Sequence, residues 1–348
     1  MIPHNRPCIT GEDIQAVEKT LRSGWIAQGG QVDALEGEFV RFMGGGTACA
    51  CASGTAALYL ALYGLKIGKG DSIAIPAYAC SALLNAVFMS GATPNIVDVR
   101  SDDFTIDPGL VDIQAPDATA AIAVHCFGAR ADIEGLQSKT DRIVEDCCQS
   151  LGGYWHGKPV GGSGNVAVFS FYATKIITCG HGGLLWDPKG VLGKWARDYR
   201  EFDCRKRYKP RFNFHLSDIQ AAMARNQFDR IESIRHRRKM IMKRYLAVLP
   251  HGLGHQAGLA SDGSMVYRFV ILFEKESARD AAKAHFEAND IETRVPIERY
   301  ELLHRYMKLD PHEFPVSEGL VDTTLSLPLY PMLTDTEVDK ISGVLGSL

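Results

Sequence analysis

The sequence predicts an α/β protein: a large domain built on a mostly parallel sheet with helices on both faces, and a small C-terminal α+β domain. Three observations carry this. Short apolar runs (TACACA, SIAIP, PNIVDV, TAAIAVH, DRIVED, NVAVFSF, GGLLW) recur along the chain with helical candidates between several of them, the pattern of strands buried on both faces by crossover helices. The chain has 348 residues, 46% hydrophobic and 23% charged, enough for one large core and a smaller one. Near residue 240 the pattern changes to a strand-like SMVYRFVILF, a helical SARDAAKAHFEAND and a closing helix, DTEVDKISGVLGSL. We therefore expect a large domain over residues 1–240 and a small one over 241–348.

Taken in order, Thr10 and Asp13 form a capping box that starts the first helix; Ile14, Val17 and Leu21 mark one face of it, and Gly24 can end it. After a polar, glycine-rich turn comes the strand TACACA, then GTAALYLALYGL with Leu58, Leu62 and Leu65 at helical spacing. That is strand, tight turn, helix. From Leu216, LSDIQAAMARNQFDRIESIRHRRKMIMKRYLAVL keeps helical spacing for about nine turns, and predicts one long connector out of the large domain.

The net charge is −3, so no nucleic-acid partner is expected. No run of about 18 apolar residues predicts a membrane span, and MIPHNRPCIT lacks the features of a signal peptide; a cytoplasmic location is expected. Nine cysteines lie mostly inside apolar stretches, where cysteine acts as a small hydrophobe. Cys49/Cys51 and the adjacent Cys147/Cys148 miss the usual C-x-x-C spacing, and no structural metal is expected.

The stretch FSFYATKIITCGHGG plants Lys175 among Thr174, Ile176 and Ile177. A lysine in such surroundings must find partners, snorkel, or give up its proton. In α/β sheets ligands sit at the carboxyl ends of strands, and two other strand ends stand out. Ser53-Gly54-Thr55 opens a helix after TACACA, where free N–H groups and the helix dipole favour a phosphate. IVEDCCQS ends a buried strand on Asp146, with Gln149 three residues on. Each has an ordinary explanation alone, as a helix cap or a local salt bridge. Together they describe what pyridoxal 5′-phosphate (PLP) requires: a lysine for a Schiff base, a carboxylate that keeps the pyridine nitrogen protonated, and a phosphate seat. The GGSG at 161–164 lacks the strand–turn–helix context of a dinucleotide fingerprint and reads as a loop.

With LRSGWIAQGGQVDALEGEF, ASGTAALYLAL, VHCFGARADIEGL, VEDCCQSLGG, VFSFYATKIITCGHGGLL, FNFHLSDIQAA and FPVSEGLVDTTLSLPLYPML in this order, the chain resembles the DegT/StrS-type (DegT/DnrJ/EryC/StrS) sugar aminotransferases. These are a branch of the aspartate-aminotransferase-like (fold type I) PLP enzymes, with a three-layer large domain. The resemblance implies Lys175 as the Schiff-base residue, Asp146 against the pyridine nitrogen and Gln149 on the phenolic oxygen. It places Gly54, Thr55 and Ala56 at the phosphate with the Ser170 hydroxyl, and makes Asn213 a residue that reaches the neighbouring subunit's phosphate, hence a homodimer with shared sites. It implies L-glutamate as donor and a keto sugar, nucleotide-linked, as acceptor, with Lys175 carrying the proton as base and acid.

The sequence departs from the family pattern in three places. Cys80 stands where the family has an aromatic residue stacked on the cofactor ring; Tyr78, two residues earlier, either replaces it or packs in the core, and His125 is the alternative stacker. His181 stands where glutamate is common, and we assign it no role. Trp25, His125, Arg207 and Arg211 are candidate substrate contacts; the two arginines lie in CRKRYKPRFNF, which is either a solvated loop or a grip on a substrate diphosphate. The competing readings are a sugar dehydratase-like branch, which carries histidine at the lysine position, an aminotransferase acting on a cyclitol or unlinked keto sugar, and a PLP-binding regulatory protein without turnover.

Overall fold

The computed structural model describes residues 1–261 and 263–348. Helices α1 (Gly11–Ser23) and α2 (Gly30–Phe42) precede β1 (Thr47–Cys51), α3 (Gly54–Gly64), β2 (Ser72–Pro76), α4 (Ala82–Ser90), β3 (Thr93–Val97), α5 (Pro108–Gln114), β4 (Ala120–Val124), α6 (Ile133–Gln137) and β5 (Ile143–Asp146). A small hairpin, β6 (Tyr154–Trp155) and β7 (Lys158–Pro159), leads to β8 (Val166–Ser170), β9 (Gly183–Asp187), α7 (Val191–Arg200), α8 (Asp218–Asp229) and α9 (Ile231–Val248). The remainder holds β10 (Gly254–His255), β11 (Phe269–Leu272), α10 (Glu276–Ala288), α11 (Leu303–Tyr306), α12 (Pro315–Thr323), β12 (Thr324–Leu327) and α13 (Asp335–Leu345).

Seven strands form one sheet in the order β1-β9-β8-β5-β4-β2-β3. It is parallel except that β9 runs antiparallel to both neighbours. Alternation along β1 shows why its residues are all apolar: Ala48 and Ala50 enter the core under α2, whereas Cys49 and Cys51 enter the core under α3. Helices therefore cover both faces, giving three layers. A second, antiparallel sheet, β10-β11-β12, carries α10 and α13. The chain start joins this second body, because Ile2 bridges Ile291 and exchanges backbone hydrogen bonds with Asp290 (2.7 Å) and Glu292 (2.9 Å). Residue 240 lies inside α9.

Three local readings change. In α1 the capping box forms, but Ile14 and Leu21 are exposed and the buried face carries Asp13 and Thr20. Asp13 turns inward because Arg230 binds both its oxygens at 2.9 Å and Asn226 adds a bond at 2.7 Å. The long connector is two helices, broken at Arg230 (φ −98°, ψ 11°), the residue whose guanidinium anchors α1. SMVYRFVILF is a strand only over Phe269–Leu272. Before it, the N–H groups of Tyr267 (3.0 Å) and Arg268 (3.4 Å) leave the small sheet and donate to Phe127 O in the large body. Gly128 makes that approach possible: its φ is +103°, and a Cβ there would fall 1.7 Å from Met265 O.

Candidate active site

The carboxyl ends of β1, β2, β4, β5 and β8 open onto one cavity of about 480 Å³, which Tyr267, Arg268 and Tyr306 also line. Its floor begins at the N-terminus of α3. Ser53 caps that helix, its Oγ accepting the Ala56 N–H at 3.1 Å, while its carbonyl accepts from Ala57. Ala56 is thus committed to the cap rather than to a ligand, contrary to its expected place in the phosphate seat. The N–H groups of Gly54 and Thr55 are left without acceptors among the described residues, at the positive end of the helix. A Cβ at Gly54 would meet Ser170 Cβ at 2.9 Å and Cys148 Sγ at 3.3 Å, so glycine lets Ser170 and Cys148 pack directly on the helix start. Ser170 Oγ accepts the Tyr172 N–H (3.3 Å), which leaves its own proton to donate.

Asp146 ends β5, 6% exposed, with one oxygen accepting the Cys148 N–H at 2.9 Å. One turn on, Gln149 is oriented by the Phe127 N–H, which donates to its Oε1 at 2.7 Å. Its amide NH₂ is therefore the group left to donate. Lys175 follows β8 in a tight loop, its N–H bonded to Tyr172 O (2.9 Å), and its Nζ lies 5.4 Å from the centre of the Tyr267 ring. Burial pulls the amine pKa down, but Tyr267, Cys148, Asp146 and Cys80 together outweigh it and raise the pKa above the ordinary lysine value. Burial likewise raises the Tyr267 phenol, and Lys175 and Arg268 bring it below its ordinary value. Lysine and phenol thus form a coupled pair at the cavity wall.

The structure gathers Gly54, Thr55, Tyr78, Asp146, Gln149, Ser170 and Lys175 around this cavity and leaves other candidates outside it. Tyr78 reaches the wall, but its ring is fully buried, edge-on to Phe104 (6.0 Å) and Phe127 (6.2 Å), with its hydroxyl 3.5 Å from Thr324 Oγ1. That packing leaves no face for stacking. His125 lies on the opposite side of the sheet: Nδ1 accepts the Ala131 N–H (3.0 Å), so Nε2 bears the proton and donates to Glu145 (3.0 Å). Cys147 is nearby, all ligand atoms lying within 4.8 Å, but the imidazole and carboxylate already satisfy one another. Trp25 is 62% exposed and donates to Gln28 O (3.2 Å).

Arg211 is 6% exposed and pinned to Asp198, Nη2 to Oδ2 at 3.0 Å, and to Glu201 O at 3.2 Å. Arg205 binds the same Asp198. Both hold the loop rather than offer a free fork, which removes Arg211 as a diphosphate contact. Arg207 and Asn213 are exposed on that loop, with Asn213 Oδ1 accepting the His215 N–H at 3.2 Å.

Sequence reasoning missed Cys148, Phe127, Tyr267 and Arg268 as lining residues. The Cys148 and Cys80 thiols stand on the cavity wall, and polarizable sulfur makes favourable contacts with aromatic rings. The unpartnered N–H pair, the carboxylate, the oriented amide and the amine fit a phosphorylated pyridine aldehyde.

The family model described as the DegT/DnrJ/EryC1/StrS aminotransferase family matches residues 7–345. Among solved structures, the chain is similar to Spr1654 of Streptococcus pneumoniae, provisionally named a sugar aminotransferase. In its PLP form that protein is 25% identical, with 99% of this chain and 98% of that one covered and a TM-score of 0.90; a PMP form also matches. DesV of S. venezuelae is 29% identical, covering 97% and 94% at a TM-score of 0.88. A DegT DnrJ EryC1 StrS aminotransferase from Brucella abortus is 26% identical, covering 97% and 95% at a TM-score of 0.86.

Proposed function

This chain belongs to the DegT/DnrJ/EryC1/StrS aminotransferase family, and from that premise we propose that it aminates a keto sugar, nucleotide-linked, with L-glutamate as donor, in amino-sugar biosynthesis. It is a PLP-dependent aminotransferase. The observation that carries the reading is the meeting of Lys175, Asp146 and the α3 N-terminus on one cavity.

When bound, PLP supplies an aldehyde for amines and a protonated pyridine that draws electrons from the substrate carbon. Asp146 would hold the proton on the pyridine nitrogen. Gln149 would donate its free NH₂ to the phenolic oxygen. The Gly54 and Thr55 N–H groups and the Ser170 hydroxyl would hold the phosphate. Lys175 would hold the aldehyde and, with its amine free, would move the proton at the substrate carbon as base and acid. Ping-pong kinetics follow from the two halves.

Lysine at 175 favours amination over the dehydratase-like chemistry that goes with histidine there. A homodimer is part of the proposal, Asn213 completing the neighbour's phosphate seat. Exposed Tyr63, Phe202, Tyr208 and Phe212, beside and within this loop, support a partner surface there. The test is to add glutamate to the purified, PLP-loaded protein. Loss of the visible absorbance of the lysine-linked cofactor is expected, followed by its return with one member of a panel of keto sugar nucleotides. An unchanged spectrum with glutamate would favour a silent PLP-binding protein, and return only with an unlinked keto sugar would remove the nucleotide.

A further inference from the structure

A second cavity, of about 180 Å³, lies behind the wall made by Thr174, Tyr267 and Arg268, residues it shares with the cofactor cavity. Its charge is lopsided. Arg238, Arg268 and Arg294 line it against a single carboxylate among the described residues, Glu292; the Arg268 guanidinium also lies 5.1 Å from the centre of the Phe127 ring, and its Nη1 donates to Pro296 O at 3.1 Å. That carboxylate is already committed, accepting from Arg294 Nε (2.9 Å) and Nη2 (2.6 Å) and from the His4 N–H (3.0 Å). His4 adds no charge, because burial first, then Arg268 and Arg294, hold its pKa down at about 3; its Nε2 sits 2.9 Å from Ser326 Oγ.

Arg238 is the sharper anomaly. It is 3% exposed, and its Nη1 reaches only neutral carbonyls, those of Val266 (3.2 Å), Tyr267 (3.1 Å) and Leu329 (3.0 Å). Its Nε has no acceptor among the described residues. A buried cation without a carboxylate partner is costly; among the described residues no carboxylate pairs with Arg238, and the acidic group it bears on is the Tyr267 phenol.

We propose that this cavity is a carboxylate site, in which Arg238, Arg268 and Arg294 bind a small organic acid anion. Guanidinium forks match a planar carboxylate in two-point bonds, and the volume is below the roughly 300 Å³ at which sites for drug-sized ligands begin. The carboxylate comes from the distal end of the amino donor, in which case the proposal rests on the glutamate reading above, or from a separate acid that bears on Lys175 through Tyr267 and Arg268.

Succinate is the probe, since it has two carboxylates and neither an amine nor a keto group. Calorimetric titration of the PLP-loaded and PLP-free protein should show binding in both. Arg294, 63% exposed, is replaced because the fold does not depend on its burial. Arg294→Gln should weaken succinate by about tenfold or more, and Glu292→Gln, which removes the competing anion, should tighten it. A merely structural pair would weaken in both variants. No binding by the wild type, or equal affinity in the wild type and Arg294→Gln, overturns the proposal. Succinate that competes with glutamate in the first half-reaction identifies the donor as the source; succinate that binds alongside glutamate identifies a separate acid. Failure of the glutamate reading is visible on its own, as an unchanged spectrum with glutamate while succinate binding stays sensitive to Arg294→Gln.

Discussion

The Phe127 N–H fixes Gln149 by donating to its Oε1 at 2.7 Å, and it does so from a left-handed backbone, φ +52°. A non-glycine residue in that region carries a conformational cost, and here it aims one donor so that the amide turns its NH₂ outward. Gln149→Glu keeps the acceptor for Phe127 and loses the donor. The fold should survive, and the pKa of the visible cofactor band should rise by about one unit, because a donor to the phenolic oxygen favours its charged form. An unshifted pH titration of the spectrum would detach Gln149 from the ring.

Gly54→Ala places a Cβ 2.9 Å from Ser170 Cβ, inside contact distance. Overpacking of this kind costs about 1–3 kcal/mol, and it pushes on the Ser170 side chain, whose hydroxyl is proposed to hold the phosphate. Cofactor affinity, followed by fluorescence on titrating the PLP-free protein, should drop by about tenfold or more. Unchanged affinity would move the phosphate elsewhere.

Lys175→Ala should abolish turnover and leave the melting profile of the PLP-free protein close to that of the parent, since among the described residues no hydrogen bond from Nζ holds the loop in place. Asp146→Asn should keep the cofactor but lower kcat by about a hundredfold or more. Borohydride reduction that labels any lysine other than 175 would refute the assignment.

Glu318 predicts an acid limb of stability. Burial would raise its carboxyl, but Arg305, His304 and Arg299 outweigh that and hold it down, at about 2. A carboxyl depressed in the folded state stabilises fully above its unfolded pKa, near 4.5, and that share is lost as pH falls toward 2. Glu318→Gln should therefore flatten the fall in melting temperature between about pH 5 and pH 2. Equal slopes in the two proteins would show that the ion cluster carries no net stability.

Arg207 and Arg211 should now part company. Arg207→Gln should raise the KM for a sugar nucleotide and leave the glutamate half-reaction alone. Arg211→Gln should loosen the loop from Asp198, seen as faster proteolysis within residues 202–212. Mixing an Arg207→Gln subunit with a Lys175→Ala subunit should restore one intact site per heterodimer if the loop acts across the interface; no regain after confirmed exchange would place it in cis.

The strand ends were legible because each is local: Gly54, Asp146 and Lys175 all follow an apolar run within a few residues. His125 was misplaced by one step of the pleat. In the parallel pair Val124 faces Asp146 and Ala123 faces Glu145, so side chains at Val124 and Asp146 share the cavity side while Glu145, with His125, lies on the other. Tyr267 and Arg268 could not be read from their surroundings, since what brings them to Lys175 is a backbone contact with Phe127, more than a hundred residues away in the chain. The Arg230 break was hidden for a related reason: helical spacing persists through it, and only the pull of Asp13 marks it.

The contact between Gly128 and Met265 is made by main chain on main chain, with no side chain to compress or rotate. Such a joint has little travel. The same seam is tied again where the Ala257 N–H donates to Asp102 O (2.8 Å), the Tyr267 N–H to Phe127 O (3.0 Å) and the Leu303 N–H to Ala77 O (3.0 Å). Tyr267 is thus held beside Lys175 through its main chain, and replacing either side chain should leave the other's backbone where it stands.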